Sequence, residues 1–173
     1  MNTYPIILQN VNRFYELGQT IQAANYVVDE YELNHPNFNC FELREKAEAK
    51  FILLTTEGVF GQTQIIRIPE NVFDFDLVLI LNMMAHEMVH VSQKVIGKSI
   101  LDRNEREWQA YYEMLFHEIY PKIPKASNYH QLFFAKKALE YYDKMGENSR
   151  LQIQYKNQKK AVEELILLLN KSV

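Results

Sequence analysis

A long apolar run between positions 75 and 96 contains the feature that most restricts how this chain folds, the segment His86-Glu87-Met88-Val89-His90. The run predicts a helix from Phe75 to Ile96, on which residues four apart lie on one face about one turn apart. His86 and His90 therefore direct two imidazoles to one place, and Glu87 projects about 100° away from His86. Zn²⁺ accepts neutral imidazole nitrogens in a tetrahedral shell. We expect a Zn²⁺-activated water beside a carboxylate, Glu87, that takes its proton.

Apolar residues surround the two histidines on the predicted helix. They form a spine that repeats at spacings of four and three, which predicts burial on most sides of the helix. The residues of this spine are Leu77, Leu81, Met84, Met88, Val91 and Val95. Imidazoles and a carboxylate inside a buried helix are costly unless something satisfies them. A metal ion does so, and the alternative is a pair of core histidines that hydrogen-bond within the protein.

Length and composition are those of one compact domain with a hydrophobic core. The chain has 173 residues, of which 47% are hydrophobic and 24% charged, an ordinary globular balance. We predict one domain over 1–173, with the metal-site helix pair at 70–120 and a C-terminal helical part at 125–173. The net charge of −3 and the lack of a basic cluster exclude nucleic acid as an expected partner.

The single cysteine, Cys40, rules out an internal disulfide, so the fold does not need an oxidising compartment. Residues 1–8 show neither a basic region nor a cleavage-type site. No apolar run reaches the roughly 18 uninterrupted residues that a membrane span requires. We therefore expect a soluble, cytoplasmic protein that does not associate with a membrane.

The residues before the metal-site helix predict one helix and a small sheet. Helical spacing of apolar residues predicts a helix over Val11–Leu33, whereas Phe38–Lys50 is compatible with a short helix or with a strand. Phe51–Thr55 and Val59–Ile68 are typical of strands, joined by a turn at Glu57-Gly58.

Those two strands have two possible roles, which the residues leave open. They form either a sheet edge along the cleft, where an extended peptide pairs through main-chain hydrogen bonds, or an ordinary hairpin that covers the core. Asn71 or Asp74 is positioned to cap the helix that follows.

Three helices are predicted after the metal-site helix. The first begins at Asp102 or Asn104 and ends near Tyr120, with a core face of Trp108, Tyr112, Leu115 and Ile119. The second begins at Ser127 or Asn128 and ends at Met145, with Leu132, Ala135, Leu139 and Tyr142 inward. The third follows Gly146 and ends near Leu169. The predicted fold class is therefore α+β and mostly helical, with a small sheet or hairpin beside the buried helix.

A catalytic zinc site usually takes three protein ligands and leaves the fourth position to water. The helix predicted after Asp102 offers Glu105 and Glu107 as the third ligand. These glutamates point about 160° apart on a helix, so they cannot share the role. Ala110, about one turn after Glu107, is small enough to let two helices approach closely.

The residues His86-Glu87-Met88-Val89-His90, followed after sixteen intervening residues by Glu107-Trp108-Gln109-Ala110, resemble the gluzincin group of zincin metallopeptidases. The resemblance covers about residues 64–113 and implies a zincin-like fold, with His86, His90 and Glu107 as zinc ligands and Glu87 as general base. Asn104-Glu105 resembles another gluzincin form of the same helix, which keeps Glu105 as the alternative ligand. Tyr111 stands where gluzincins often have an aspartate that orients a ligand histidine. The small size resembles the minimal zincin domains common in bacterial and phage proteins.

Hydrolysis also needs a group that stabilises the oxyanion, and phenol or imidazole donors serve that purpose. The candidates in this sequence are Tyr111, Tyr112, His117 and His130. Gln93, about one turn after His90, is positioned to brace that ring through a hydrogen bond. The resemblance then implies a zinc metallopeptidase that acts on a peptide or protein substrate.

Two rival interpretations concern different classes of protein. A di-iron helical bundle needs a second Glu-x-x-His motif, in which the two residues are three positions apart. Glu113 and His117 are four positions apart, so the sequence argues against this rival. The second rival keeps the zincin fold without turnover, as a binding or regulatory protein with a structural metal or none. Its C-terminal helices would dock a protein partner, and an exposed apolar stripe near Leu165–Leu169 would favour such an interface.

Overall fold

The computed structural model describes residues 2–97 and 99–171 of the chain. Within these ranges the fold is α+β and mostly helical, with seven α-helices and one three-stranded sheet. The helices are α1 (Tyr4–Glu16), α2 (Thr20–Glu30), α3 (Leu77–Gln93), α4 (Arg103–Phe116), α5 (Asn128–Lys144), α6 (Arg150–Gln154) and α7 (Lys156–Lys171). The strands are β1 (Phe38–Arg44), β2 (Thr55–Glu57) and β3 (Gln64–Pro69). No helix in the described ranges is both long and apolar enough to cross a bilayer.

The first predicted helix, Val11–Leu33, is wrong in its extent because the chain turns in its middle. Gly18 adopts φ +70°, a backbone conformation that glycine reaches without a steric penalty. The N–H groups of Gly18 and Gln19 donate to the carbonyls at the end of α1, at 2.9 Å each, and so terminate that helix. Two antiparallel helices, α1 and α2, take the place of the single one.

The sheet differs from the predicted pair of strands in extent and in number. Strand β3 lies at the centre, with β1 parallel to it on one side and β2 antiparallel on the other. The predicted strand Phe51–Thr55 is wrong, since β2 begins only at Thr55 and runs through Glu57, the position of the predicted turn. The predicted strand Val59–Ile68 shortens to β3, because a loop joins the two strands.

Capping explains where α3 and α4 begin. Asp76 accepts a hydrogen bond from the N–H of Leu79 at 2.9 Å, so neither Asn71 nor Asp74 caps α3. The side chain of Asn71 instead bonds to the backbone of Ala47. Asp102 caps α4, as one of the two predicted alternatives.

Helix α4 ends four residues before the predicted end, Tyr120, because His117 adopts φ +49°. The buried carboxylate of Glu113 accepts the N–H groups of Ile119 and Tyr120 at 2.8–3.1 Å and holds the chain as it leaves the helix. Ile119 is 57% exposed, so its predicted place on the core face is wrong.

The C-terminal part contains α5, which begins after its cap Ser127 as predicted, and two helices after Gly146 where one was expected. Tyr155 lies between α6 and α7. The predicted apolar stripe of α7 is mixed: Leu169 is buried, Leu165 and Ile166 pack against the core, and Leu168 is 61% exposed.

Buried residues form two clusters that meet at α3. One joins α1, α2, the sheet and most of α3, and the other joins α4, α5 and the C-terminal helices. Met83 of α3 packs against both clusters. The face of α3 that carries the histidines therefore lies between the two parts of the core.

Candidate metal centre

Helix α3 brings the two histidines together. His86 and His90 are four residues apart, and their Nε2 atoms are 3.1 Å from each other. Their side chains are only 11% and 13% exposed, because apolar residues cover the rest of the helix. The two rings are nearly perpendicular, with centroids 4.7 Å apart. Both Nε2 lone pairs can therefore serve one ion.

Helix α4 supplies the third group of the cluster. The Oε2 atom of Glu107 lies 3.6 Å from Nε2 of His86 and 3.7 Å from Nε2 of His90. One ligand atom from each of the three residues lies within 4.8 Å of the others. A tetrahedral zinc ion with bonds of about 2.0–2.1 Å requires ligand atoms about 3.3–3.4 Å apart. The three separations bracket that value, so the donor set fits zinc in both chemistry and size.

Glu105, the alternative ligand, lies away from this cluster. Its carboxylate accepts a hydrogen bond from the hydroxyl of Tyr155 at 2.6 Å. The angle of about 160° between Glu105 and Glu107 on a helix directs Glu105 to the C-terminal helices while Glu107 faces α3.

Two groups of the cluster, Glu107 and His90, have shifted pKa values. Burial by itself would raise the pKa of Glu107, but the imidazoles of His86 and His90 lower it well below its usual range. Burial would lower the pKa of His90, but hydrogen bonding to Glu107 and the negative charges of Glu87 and Glu107 raise it overall. The carboxylate is therefore ionised and ready to bind a cation.

The carboxylate of Glu87 lies beside the cluster and is held by the sheet. The side chain of Thr56, in β2, is 2.8 Å from Oε2 of Glu87 and 2.9 Å from its backbone carbonyl oxygen. Glu87 is only 7% exposed and lines the same cavity as the cluster. A carboxylate in this position is oriented without being one of the three grouped ligands.

Gln93 braces His90, as the sequence predicted. Its Nε2 donates to the carbonyl of Arg106 and to Oε1 of Gln109, at 3.0 and 3.1 Å. The amide oxygen therefore faces His90, where it lies 2.8 Å from Nδ1. This arrangement requires the proton of His90 on Nδ1 and leaves the lone pair on Nε2 toward the cluster.

The brace continues beyond Gln93 to the C-terminal helices. Nε2 of Gln109 donates to the hydroxyl of Tyr155 at 2.6 Å, and that hydroxyl donates to Glu105. We call the series Gln93, Gln109, Tyr155 and Glu105 the amide–tyrosine chain. It links the cluster of His86, His90 and Glu107 to the junction of α6 and α7.

His86 has a different environment, since its buried Nδ1 has no hydrogen-bond partner among the described residues. The ring of Tyr111 packs edge-on against it, with centroids 4.7 Å apart. Burial and the charge of Glu107 raise the pKa of Tyr111 far above its usual range, so its hydroxyl keeps its proton. Tyr111 thus positions His86 by packing and lines the cavity as a potential donor.

Of the other predicted oxyanion donors, one lies in the cavity and two lie outside it. His130 lines the cavity and stacks on Phe134 at 6.2 Å. The hydroxyl of Tyr112 donates to Glu118 at 3.3 Å, and its ring lies in the cluster around Trp108. His117 is buried against Asn82, with 2.9 Å between Nε2 and Oδ1. Tyr112 and His117 are therefore structural residues outside the cavity.

A cavity of about 620 Å³ opens over the cluster. Its lining comes from the segment 50–56 and from α3, α4 and α5. The sequence did not reveal the contact of Thr56 with Glu87 or the contacts of Gln109 and Tyr155 in the amide–tyrosine chain. A threonine in a short strand and a tyrosine about 50 residues from the cluster show no spacing that marks them as functional.

Comparison of this chain with family models, with curated proteins and with solved structures gives no match. The geometry of His86, Glu87, His90 and Glu107 is the feature of this chain that indicates a function.

Proposed function

We propose that this protein is a zinc-dependent metallopeptidase. The observation that carries the proposal is the convergence of His86, His90 and Glu107 on one point, with Glu87 beside them in the same cavity. A site with a purely structural metal would have no use for the oriented carboxylate of Glu87.

The reaction divides between the metal and the residues of this chain. Zinc, when bound by His86, His90 and Glu107, lowers the pKa of a water toward about 7 and polarises a carbonyl. Glu87 accepts the proton of the attacking water and passes it to the leaving amine. Thr56 keeps the carboxylate of Glu87 in one orientation. Tyr111, whose ring packs against His86, is the candidate for hydrogen bonding to the oxyanion.

Strand β2 supports a peptide as the substrate. It lies at the edge of the sheet and borders the cavity through Thr55 and Thr56. An extended peptide adds to such an edge by main-chain hydrogen bonds, which would place it alongside Glu87.

The unbraced Nδ1 of His86 favours the second candidate, a zincin-like binding protein without turnover. A metal-binding histidine usually donates its other ring N–H to a partner, and His86 has none in the described ranges. A protein of this second kind would bind a protein partner through its C-terminal helices.

One experiment separates the two candidates. Zinc content and hydrolysis of a quenched peptide library are measured for the wild type, His86→Ala and Glu87→Gln. The metallopeptidase predicts stoichiometric zinc in the wild type and in Glu87→Gln, loss of zinc in His86→Ala, and hydrolysis in the wild type alone. Zinc without hydrolysis would favour the binding protein, and no zinc in the wild type would reject a zinc site altogether.

A further inference from the structure

The cavity extends beyond the metal cluster along α3. Leu79, Met83, His86 and His90 line it at spacings of three and four, which place them on one face of the helix. From Leu79 to His90 this face is about 16 Å long. The cluster occupies one end, and the end toward the start of α3 lacks a ligand group.

The inner wall of this other end is apolar. Met114 of α4 and Phe134 of α5 are 3% and 4% exposed and line the cavity together with Leu79 and Met83. His130, whose ring stacks on Phe134, also lines this end of the cavity. We call these lining residues of α3, α4 and α5 the apolar pocket.

Large apolar side chains also stand exposed at the rim of the cavity. Phe51 and Leu53 are 65% and 42% exposed, and Tyr129 and Phe133 are 76% and 49% exposed, and all four line it. Apolar groups gathered at the mouth of a cavity mark a surface that an apolar ligand covers. The run Phe51–Leu54, which resembled a strand, therefore has a second explanation as a cavity wall.

A basic side chain of α4 lies at the cluster end of the cavity. Arg103 lines it about one turn before Glu107 on α4, whereas Met114 lies about two turns after Glu107. The basic side chain of α4 is therefore at the cluster end and away from the apolar pocket. Among the described residues, Lys50, beside Phe51, is the other lysine or arginine that lines the cavity.

From these observations, and resting on the proposed function, we infer that the apolar pocket is a substrate subsite for one large aliphatic or aromatic side chain close to the scissile bond. Met83 precedes Glu87 by one helical turn, which separates neighbouring side chains by about 5–6 Å. An extended peptide advances about 3.3 Å per residue, so the side chain belongs to a residue within about two positions of the scissile bond. The substrate class is an extended peptide segment with an exposed hydrophobic residue.

The test measures binding, so that it does not depend on turnover. Two fluorescent peptides of glycine, serine and alanine are compared, identical except for one central Phe or Ser. They are titrated by anisotropy into zinc-treated Glu87→Gln protein. We expect the Phe peptide to bind about tenfold more tightly, because the pocket removes its ring from water.

Variants at the rim identify the pocket. In the Glu87→Gln background, Phe133→Ser and Leu53→Ser should each reduce the preference for Phe to less than about threefold. Both side chains are partly exposed, so the fold should tolerate the changes. Ile153→Ser is the matched control, since Ile153 is 69% exposed and lies in α6 outside the cavity lining. It should leave the preference unchanged.

The outcomes separate this inference from the proposed function. Equal binding of the Phe and Ser peptides, or a preference that survives both rim variants, would overturn the apolar subsite whatever the zinc content. A preference lost in both rim variants and kept in Ile153→Ser would support the subsite. Absence of zinc from the protein would reject the metallopeptidase but not the pocket, because apolar side chains form it without a metal.

Discussion

At the scale of single residues, Thr56 and Gln93 each fix the direction of one group in the cluster region. Thr56 holds the carboxylate of Glu87, and Gln93 holds the ring of His90. Gln93 lies on the same helix as the ring it braces, so helical spacing predicted its role. Thr56 lies 31 positions before Glu87, and no local rule connects the two.

Thr56→Val tests the role of the first contact. It removes the hydroxyl and keeps the shape of the side chain, so Glu87 loses an oriented partner while the metal ligands stay in place. A hydrogen bond to a charged group contributes about 1.5–3 kcal/mol, so we expect the hydrolysis rate to fall about tenfold or more. Zinc content, measured on the same samples, should stay at the wild-type value; loss of zinc would mean that Thr56 supports the fold of the site instead.

The pKa of His90 predicts how zinc affinity depends on pH. Zinc binds the neutral imidazole, and the pKa of His90 is raised above 6.5, since Glu107 and Glu87 outweigh the effect of burial. Protons should therefore compete with zinc already above pH 6.5, and affinity should fall about tenfold per pH unit below the raised pKa. Isothermal titration between pH 5.5 and 8.5 measures this slope.

Glu107→Gln provides the control for that titration. It removes one of the two charges that raise the pKa of His90, so the pH at which affinity starts to fall should move to lower values, and affinity should be weaker at every pH. An unchanged midpoint would show that another group sets the pH dependence.

At the scale of elements, α3 and α4 together make the cluster, and the amide–tyrosine chain ties them to the C-terminal helices. The sequence predicted both helices and the faces that carry the site residues, since helical periodicity is local, but it did not identify Asp76 as the cap of α3. Their ends were less predictable. The early end of α4 depends on Glu113 holding backbone N–H groups six and seven residues later.

Tyr155→Phe tests the amide–tyrosine chain. It removes the hydroxyl between Gln109 and Glu105 while leaving the ring near Trp108. Gln93 then loses part of its orientation, and we expect zinc affinity to fall by up to about tenfold, at the lower end of what indirect contacts to a metal contribute.

Tyr142→Phe is the matched control for this substitution. Tyr142 also packs on Trp108, but its hydroxyl donates to the carbonyl of Gln152 at 2.7 Å, outside the chain. It should lower the melting temperature without changing zinc affinity. Equal losses of zinc affinity in Tyr142→Phe and Tyr155→Phe would show that reduced stability of the fold, and not the amide–tyrosine chain, causes the loss.

At the scale of the whole molecule, the cluster lies where two parts of the core meet. His86 and His90 come from α3, and Glu107 comes from α4, whose apolar face belongs to the hydrophobic core around Trp108. Zinc bound by these residues would connect the two parts. Binding to the folded state alone stabilises it by about 4 kcal/mol when free zinc is a thousandfold above Kd.

Thermal unfolding with zinc and with a chelator measures this linkage. We expect zinc to raise the melting temperature by several degrees for a chain of this size, with a rise that depends on zinc concentration. His86→Ala should abolish the dependence. An equal rise in His86→Ala would locate the stabilising zinc elsewhere.

The sequence by itself determined the fold class and the helical face that carries His86, Glu87 and His90. It also determined that only one of Glu105 and Glu107 can be the third ligand. The second and third follow from helical spacing and the first also from the strand pattern, and both patterns are local properties of the chain. Only the tertiary structure decided which glutamate meets the histidines, because the packing of α4 on α3 depends on contacts along both helices. It also decided that Thr56, Tyr155 and the apolar pocket belong to the site, since residues distant in sequence meet only when the core forms.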